Sequence, residues 1–163
     1  MIRVLLVDDH ALLRNSLCVR LEQEEGMVVV GQAANVEQAV ARARVFKADV
    51  VLLDLLLPRM SGYQAIPVIL TEAPGARIIV VSSQTGPTAV RQSISAGAHG
   101  YVPKRAADTD LIAAIRRVAA GERYIDPELG AQLVVAEGMP ALEPLSLRER
   151  DVLHLLALGY TDR

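Results

Sequence analysis

The sequence predicts an α/β fold, a doubly wound five-stranded parallel sheet followed by a C-terminal helical tail. Five short apolar runs alternate with segments whose apolar residues recur at helical spacing, which is typical of this class. The run from Val50 to Leu53 is wholly apolar, as expected of a strand buried on both faces of a parallel sheet. The predicted strands are 2–7, 27–33, 49–54, 77–82 and 99–103.

The helices between these runs carry start and stop signals. Asn35 with Gln38 has the spacing of a capping box and opens the second helix. Pro67 falls inside the third, where the lost backbone hydrogen bond predicts a kink or a later start. The predicted helices are 10–24, 35–46, 63–71, 87–97 and 109–121.

The later helices are bounded in the same way. Pro87 stands at the first position of the fourth helix, where proline is tolerated. Asp108 is expected to cap the fifth helix and Gly121 to end it. The pattern then changes to a connector, 123–144, with a short helix expected near 127–137.

Composition excludes several classes of protein. The net charge of −2 provides no overall attraction to nucleic acid or to an anionic membrane. No apolar run approaches the roughly 20 residues that span a bilayer, and no basic-then-apolar leader is present. We therefore expect a cytoplasmic protein that makes no use of a membrane.

Three carboxylates follow two of the predicted strands. Asp8 and Asp9 end the first strand and Asp54 ends the third, so they should meet at the sheet edge where such folds place their chemistry. Two carboxylates about 5 Å apart repel by roughly 3 kcal/mol at an effective dielectric constant near 20. A divalent cation such as Mg²⁺ relieves that repulsion. Any one of these residues alone would be read as a helix cap or a turn residue.

Two more polar residues end strands at the same edge. Ser82 closes the fourth run and offers a hydroxyl donor, although Ser83 competes for this role because strand ends are uncertain by a residue or two. Lys104 closes the fifth run and offers an ammonium group. A donor and a cation facing carboxylates suit an anionic group carried on Asp54.

Residues 1–122 resemble the receiver domain of bacterial response regulators. The residues that carry the resemblance are Asp8, Asp9, Asp54 with Pro58 and Gly62, Ser82, and Tyr101 with Lys104. The resemblance implies a flavodoxin-like fold and phosphoryl transfer from a sensor histidine kinase onto Asp54. It implies a phosphoacceptor switch, with at most self-phosphorylation and autodephosphorylation, and not an enzyme in the usual sense.

The resemblance also implies a role for each site residue. Asp9 would bind Mg²⁺ directly, Asp8 mainly through water, and the backbone carbonyl of Leu56 would complete the protein ligands together with Asp54. Ser82 and Lys104 would bind the phosphoryl oxygens. Tyr101 would turn inward on phosphorylation, with Ser82 drawn toward the phosphoryl group, and the surface near residues 87–121 would serve as the contact of a homodimer.

Residues 145–163 resemble the start of a LuxR-type helix-turn-helix domain. Ser146 and Glu149 form a capping box that opens an amphipathic helix. The sequence ends before a recognition helix, so we expect DNA binding only through the missing part of that output domain. The apolar face of this tail is expected to dock on the receiver or on a second copy of the chain.

Three other functions compete with this interpretation. A phosphatase of the haloacid-dehalogenase kind would need an Asp-x-Asp pattern after the first strand, where this chain has adjacent aspartates. A flavin-binding module would need a phosphate-binding loop rich in Ser, Thr or Gly, whereas residues 8–14 are acidic and apolar. A phosphorylation-independent receiver-type interaction module remains open.

Overall fold

The computed structural model describes residues 1–138, in which parallel strands alternate with helices. The strands are β1 (Ile2–Val7), β2 (Met27–Ala33), β3 (Val50–Leu53), β4 (Arg77–Ser82), β5 (Gly100–Pro103) and β6 (Tyr124–Ile125). The helices are α1 (Ala11–Glu22), α2 (Val36–Phe46), α3 (Gly62–Glu72), α4 (Pro87–Ala96), α5 (Asp108–Ala119) and α6 (Pro127–Gly138). Within residues 1–138, every helix is too short or too polar to cross a membrane.

All strand pairs are parallel, in the order β2-β1-β3-β4-β5-β6. From β1 the chain first adds β2 on one side. It then crosses to the other side of β1, where β3, β4, β5 and β6 follow in order. The crossing makes β1 and β3 direct neighbours, with Val7 opposite Leu53 in the register. The residues that follow these two strands, Asp8 and Asp54, therefore lie side by side.

Within residues 1–138 the sheet has six strands, so the prediction of five was wrong in number. The additional strand is β6, whose Tyr124 and Ile125 pair with Gly100 and Tyr101 of β5. A two-residue strand is too short to show any periodicity in sequence. It forms because the chain leaving α5 runs along the otherwise open edge of β5.

Helices cover both faces of the sheet. In β1, Leu5 and Val7 belong to the core beneath α2, α3, α4 and α6, whereas Val4 and Leu6 belong to the core beneath α1 and α5. Alternate residues of each strand thus enter different cores. This is why β3 is wholly apolar, and its all-apolar pattern predicted its position correctly.

Most of the helix boundary signals are confirmed. The side chain of Asn35 accepts a hydrogen bond from the backbone N–H of Gln38, and Pro87 lies in the first turn of α4. The late start suggested for the third helix is wrong, because a capping box at Ser61 starts α3 at Gly62 and the helix continues through Pro67.

Asp108 is not the cap of α5, contrary to expectation. The N-cap is Ala107, and Asp108 is the first helical residue. Its carboxylate instead pairs with the guanidinium of Arg20 in α1, at 3.2 Å. The ion pair between neighbouring helices therefore replaces the local capping bond.

The short helix expected near 127–137 is confirmed as α6. The carboxylate of Asp126 accepts hydrogen bonds from the backbone N–H groups of Glu128 and Leu129 and so starts the helix. The side chain of Leu129 is 1% exposed and belongs to the core shared with α3 and α4. The rest of the linker and the predicted fragment 145–163, with its expected docking, lie outside the described residues.

We predict that Leu129 anchors α6 to the receiver. Replacement of Leu129 by Ala should lower the free energy of unfolding by about 2–4 kcal/mol, because the side chain is fully buried. Val134→Ala is the matched control, since Val134 lies in the same helix and is 69% exposed, and it should change stability by less than about 0.5 kcal/mol. Urea unfolding of the three proteins measures both effects, and equal losses in the two variants would contradict the anchor.

Candidate functional site

The site begins with two buried carboxylates at the carboxyl ends of adjacent strands. Asp8 is 6% exposed and Asp54 is 2% exposed, whereas Asp9 lies at the surface. The backbone N–H of Asp8 donates to the carbonyl of Ala33, and that of Asp54 donates to the carbonyl of Val7. Both residues thus continue the hydrogen bonding of the sheet, which fixes where their side chains emerge.

Lys104 compensates the charge of both buried carboxylates. Its Nζ lies 2.9 Å from Oδ2 of Asp8 and 2.9 Å from Oδ2 of Asp54. Burial alone would lower the pKa of this lysine, but its hydrogen bonds to Asp54 and Asp8 and their charges outweigh burial and raise the pKa. The amine is therefore held as a cation throughout the neutral range. Its backbone N–H donates to the carbonyl of Ser82, which fixes the end of β5 beside β4.

The loop after β3 is held close to Asp54. The backbone N–H of Leu56 donates to Oδ1 of Asp54 at 3.2 Å, and the N–H of Gly62 donates to the carbonyl of Leu55 at 2.9 Å. A Cβ at Gly62 would lie 2.6 Å from the Cα of Leu55, so only glycine permits this approach. Gly62 thus closes the loop that carries the candidate acceptor.

Asp8, Asp9, His10 and Asp54 form a group that could hold a cation. One potential ligand atom from each lies within 4.8 Å of all the others. Asp8 directs Oδ2 toward Lys104 and Oδ1 toward the backbone N–H of His10, at 2.8 Å. Anionic oxygens in this density suit a hard divalent cation such as Mg²⁺.

Ser82 and Tyr101 are joined by the backbone of Gln84. The hydroxyl of Ser82 accepts a hydrogen bond from the N–H of Gln84 at 3.1 Å, and the hydroxyl of Tyr101 donates to the carbonyl of Gln84. The Tyr101 side chain is fully buried, and burial raises its pKa to about 12. Ser82 is buried and Ser83 is exposed, which favours Ser82 as the residue held in this network.

An open groove of about 450 Å³ lies beside Lys104. Ser82, Ser83 and Thr85 from the β4–α4 segment and Lys104 with Arg105 from the β5–α5 segment line it. Hydroxyl and cationic groups thus line a space beside Lys104, the partner of Asp54, and this arrangement suits an anionic group. The sequence-predicted residues Asp8, Asp54 and Lys104 are in direct contact, and Ser82 and Tyr101 flank them.

Sequence reasoning missed three residues of the site. Arg14 donates from Nη1 to the backbone carbonyl of Asp8 at 2.6 Å, and His10 contacts both Asp8 and Asp9. Gln84 acts through its backbone N–H and carbonyl, so its residue type does not indicate this role. The position of His10 directly after the aspartate pair was a usable signal, whereas Arg14 is linked to the site only through the fold.

Comparison with known proteins agrees with this geometry. The family model described as the response regulator receiver domain matches residues 4–116. The chain is 38% identical over 163 residues to the response regulator GacA of Pseudomonas viridiflava, an alignment covering 98% of this chain and 76% of that protein. It is 34% identical over 168 residues to the DNA-binding transcriptional activator DevR/DosR of Mycobacterium tuberculosis, covering 100% of this chain and 77% of that protein.

Solved structures are similar over the same region. A two-component response regulator of the LuxR family from Aurantimonas sp. SI85-9A1 has a TM-score of 0.79 at 31% identity, covering 83% of this chain and 96% of that one. A structure of two RcsB dimers bound to two parallel DNAs has a TM-score of 0.80 at 26% identity, covering 98% of this chain and 78% of that one.

We predict that Lys104 is the main compensating charge for the buried carboxylates. Lys104→Met should lower stability at neutral pH by about 2–4 kcal/mol, because two buried anions lose their cation. Since folding raises the pKa of Lys104, its contribution is fully present below the pKa of an unfolded lysine and is lost as the pH rises through the higher folded value. The difference from wild type should therefore shrink as the pH rises above about 10.5, the ordinary pKa of lysine.

Lys47→Met is the control for this experiment. Lys47 is exposed and lies at the end of α2, remote from the carboxylates. Denaturant unfolding across the pH range should show little effect of this change. A Lys104→Met deficit that is no larger than that of Lys47→Met would contradict the proposed compensation.

Proposed function

The chain belongs to the response regulator receiver family, and from that premise we propose that it is a phosphorylation-dependent switch whose acceptor is Asp54. The observation that carries this proposal is the contact of one lysine with two buried carboxylates at neighbouring strand ends. A buried cluster of charges seldom stabilises a fold by itself, so its presence indicates a functional site. Asp54 is paired with Lys104, and Lys104 lines the same groove as Ser82.

The proposed reaction transfers a phosphoryl group from a histidine kinase. One carboxylate oxygen of Asp54 bonds to phosphorus, the phosphorus–nitrogen bond of the donor phosphohistidine breaks, and the imidazole nitrogen keeps the electron pair. Lys104 orients the Asp54 carboxylate before transfer, and afterwards Lys104 and Ser82 bind the phosphoryl oxygens. Asp8, Asp9 and the backbone carbonyl of Leu56 would hold Mg²⁺ beside Asp54. Bound Mg²⁺ would neutralise the charge that accumulates during transfer.

The chain is proposed to be a switch and not an enzyme with an external substrate. It would catalyse at most its own phosphorylation from small phosphodonors and its own dephosphorylation. The network Ser82–Gln84–Tyr101 supports a mechanism for transmitting the change: a phosphoryl group that draws Ser82 would shift Gln84, and Gln84 holds the hydroxyl of Tyr101. Two packings of this network would then differ in population.

The partners follow from the same proposal. A sensor histidine kinase would supply the phosphoryl group, and phosphorylation would favour a homodimer through the surface near residues 87–121. Residues 145–163 would begin a LuxR-type output domain, supported by the DNA-binding transcriptional activator DevR/DosR, which aligns over the whole chain. DNA binding would depend on the part of that domain containing a recognition helix. A cytoplasmic location belongs to the same proposal.

We predict that Asp54→Asn abolishes phosphorylation while keeping the fold, because an amide is not a nucleophile toward phosphorus. The protein is incubated with acetyl phosphate, with and without Mg²⁺, and intact-mass spectrometry counts the added phosphoryl groups. Asp49→Asn is the matched control, since Asp49 lies at the opposite end of β3 and binds the backbone N–H of Arg3. Labelling of the Asp54→Asn protein at the wild-type rate would show that the acceptor is elsewhere. No labelling of wild type under any condition would favour the phosphorylation-independent interaction module.

We also predict that the Tyr101 hydroxyl transmits the change to α4. In Tyr101→Phe, beryllofluoride should still bind at Asp54, but the chemical-shift changes in α4 and at Gln84 should shrink because the bond to the Gln84 carbonyl is absent. Tyr63→Phe is the control, as it removes only the bond between the Tyr63 hydroxyl and the side chain of Gln84. Wild-type shift changes in Tyr101→Phe would mean that the hydroxyl takes no part in the coupling.

A further inference from the structure

The connection between β1 and α1 carries both aspartates of the acidic pair, yet α1 begins without a side-chain cap. Asp8, Asp9 and His10 form the connection, and His10 occupies the N-cap position with no side-chain capping bond. The bond within the loop, from the His10 N–H to Oδ1 of Asp8 at 2.8 Å, uses an oxygen that a cation would need. The loop therefore requires an anchor that leaves its carboxylates free.

Arg14 of α1 provides such an anchor. Its Nη1 donates to the backbone carbonyl of Asp8 at 2.6 Å, and its Nε donates to Oε1 of Gln32 in β2 at 3.4 Å. This carbonyl lies one residue beyond the last register pair of β1 and β2, Val7 with Ala33. Since β2 ends at Ala33, the guanidinium supplies the donor that the strand no longer offers.

We propose that Arg14 is a positioning residue, which fixes the main chain of Asp8 and so holds the Asp8 and Asp9 carboxylates in the arrangement that Mg²⁺ binding requires. The inference rests on the proposed function, because it concerns the same cation site. It adds to that function the residue that keeps the ligands in place. Arg14 acts through Asp8 and makes no contact with the cation itself.

The surroundings of Arg14 agree with this role. Together with Asp8 and Asp54 it lines a cavity of about 10 Å³ between α1 and the sheet, which is about the volume that one water molecule needs. The side chain is half-buried and is thus packed against the site. A short bond from a charged donor is also stronger than a neutral hydrogen bond.

Electrostatics and positioning predict opposite effects of removing Arg14. Both groups that its guanidinium binds, a carbonyl and a side-chain amide, are neutral. A positive charge near a cation site repels Mg²⁺, so removal of the charge alone would raise the Mg²⁺ affinity. Loss of positioning would lower it, because carboxylates that are free to separate bind a cation less well. The sign of the change therefore distinguishes the two effects.

The test measures the Mg²⁺ affinity of the full chain and its variants by isothermal titration calorimetry. In Arg14→Met we expect the affinity to fall about tenfold, as for other groups that orient metal ligands. Arg14→Lys keeps the charge and a donor and should recover part of the loss. Arg20→Met is the matched control, since Arg20 lies in the same helix but pairs with Glu24 and Asp108, and it should leave the affinity nearly unchanged.

Gln32 provides a second test, because its side chain is linked to the site through Arg14. Gln32→Ala should weaken Mg²⁺ binding less than Arg14→Met does. Adding Gln32→Ala to Arg14→Met should cause no further loss, since the guanidinium that Gln32 orients is already gone. Losses that add in the double variant would contradict a path through Arg14.

A signal in the metal-free protein reports on the anchor directly. The amide nitrogen of Asp9 shares its peptide bond with the Asp8 carbonyl, so loss of the bond from Arg14 should shift the Asp9 resonance in the nitrogen–proton correlation NMR spectrum. The shift should be larger in Arg14→Met than in Arg14→Lys and absent in Arg20→Met. The same order of the variants in Mg²⁺ affinity would tie the affinity to this bond.

Two outcomes would overturn the inference. An unchanged Mg²⁺ affinity in Arg14→Met, together with lower stability in urea, would give Arg14 a structural role only. A higher affinity would mean that its charge matters and its bond to Asp8 does not. Failure of the proposed function looks different: Mg²⁺ would bind the wild type and bind Arg14→Met more weakly, yet acetyl phosphate would add no phosphoryl group to Asp54.

Discussion

The structure depends on the juxtaposition of Asp8 and Asp54 at the ends of two paired strands. Neither carboxylate can leave the interior, because each extends the hydrogen bonding of a central strand. Their shared partner Lys104 comes from β5, two strands beyond β3 in the sheet. The lysine must therefore reach across the end of β4. This ion cluster joins the residues that follow β1, β3 and β5 at the edge where the proposed chemistry takes place.

A cluster of this kind adds little net stability to a fold, so its place at this edge calls for a functional explanation. Buried ion pairs are expensive to desolvate, and an apolar substitute of similar size is often at least as stable. Burial of the apolar core on both faces of the sheet offsets the desolvation of these charges. Residues such as Val50, Leu53 and Ile79 are fully buried. Phosphorylation of Asp54 would move Lys104 from the carboxylate to the phosphoryl oxygens, so the cluster would have to rearrange.

The sequence predicted the site better than it predicted the details of the fold. Asp8, Asp54, Lys104 and Ser82 were found because parallel strands align their carboxyl ends, so a polar residue after an apolar run has a predictable neighbour. The strand β6 was not predicted, because a strand of two residues is too short to show an alternation of apolar and polar residues. Asp108 was misassigned because Arg20, far away in sequence, competes for its carboxylate.

The same distinction explains the missed site residues. Gln84 acts through its backbone N–H and carbonyl, so its residue type is not informative about that role. Arg14 reaches the backbone of Asp8 only because α1 packs beside β1. The local sequence pattern therefore predicts which residues lie at the same edge of the sheet. Hydrogen bonds between different helices and strands can be identified only once the three-dimensional arrangement of these elements is known.

The magnitude of these bonds suits a switch. Coupling between sites in proteins is typically about 1–3 kcal/mol, and a net hydrogen bond contributes about 0.5–1.5 kcal/mol. Two hydrogen bonds, from Gln84 to Ser82 and from Tyr101 to Gln84, join the edge proposed to bind the phosphoryl group to the buried ring of Tyr101 in β5. Gain or loss of both would account for a coupling of that size without any change in the sheet. Because the link runs through the main chain of Gln84, it tolerates substitution at that position, whereas the hydroxyls at its two ends, on Ser82 and Tyr101, are the groups whose loss breaks it.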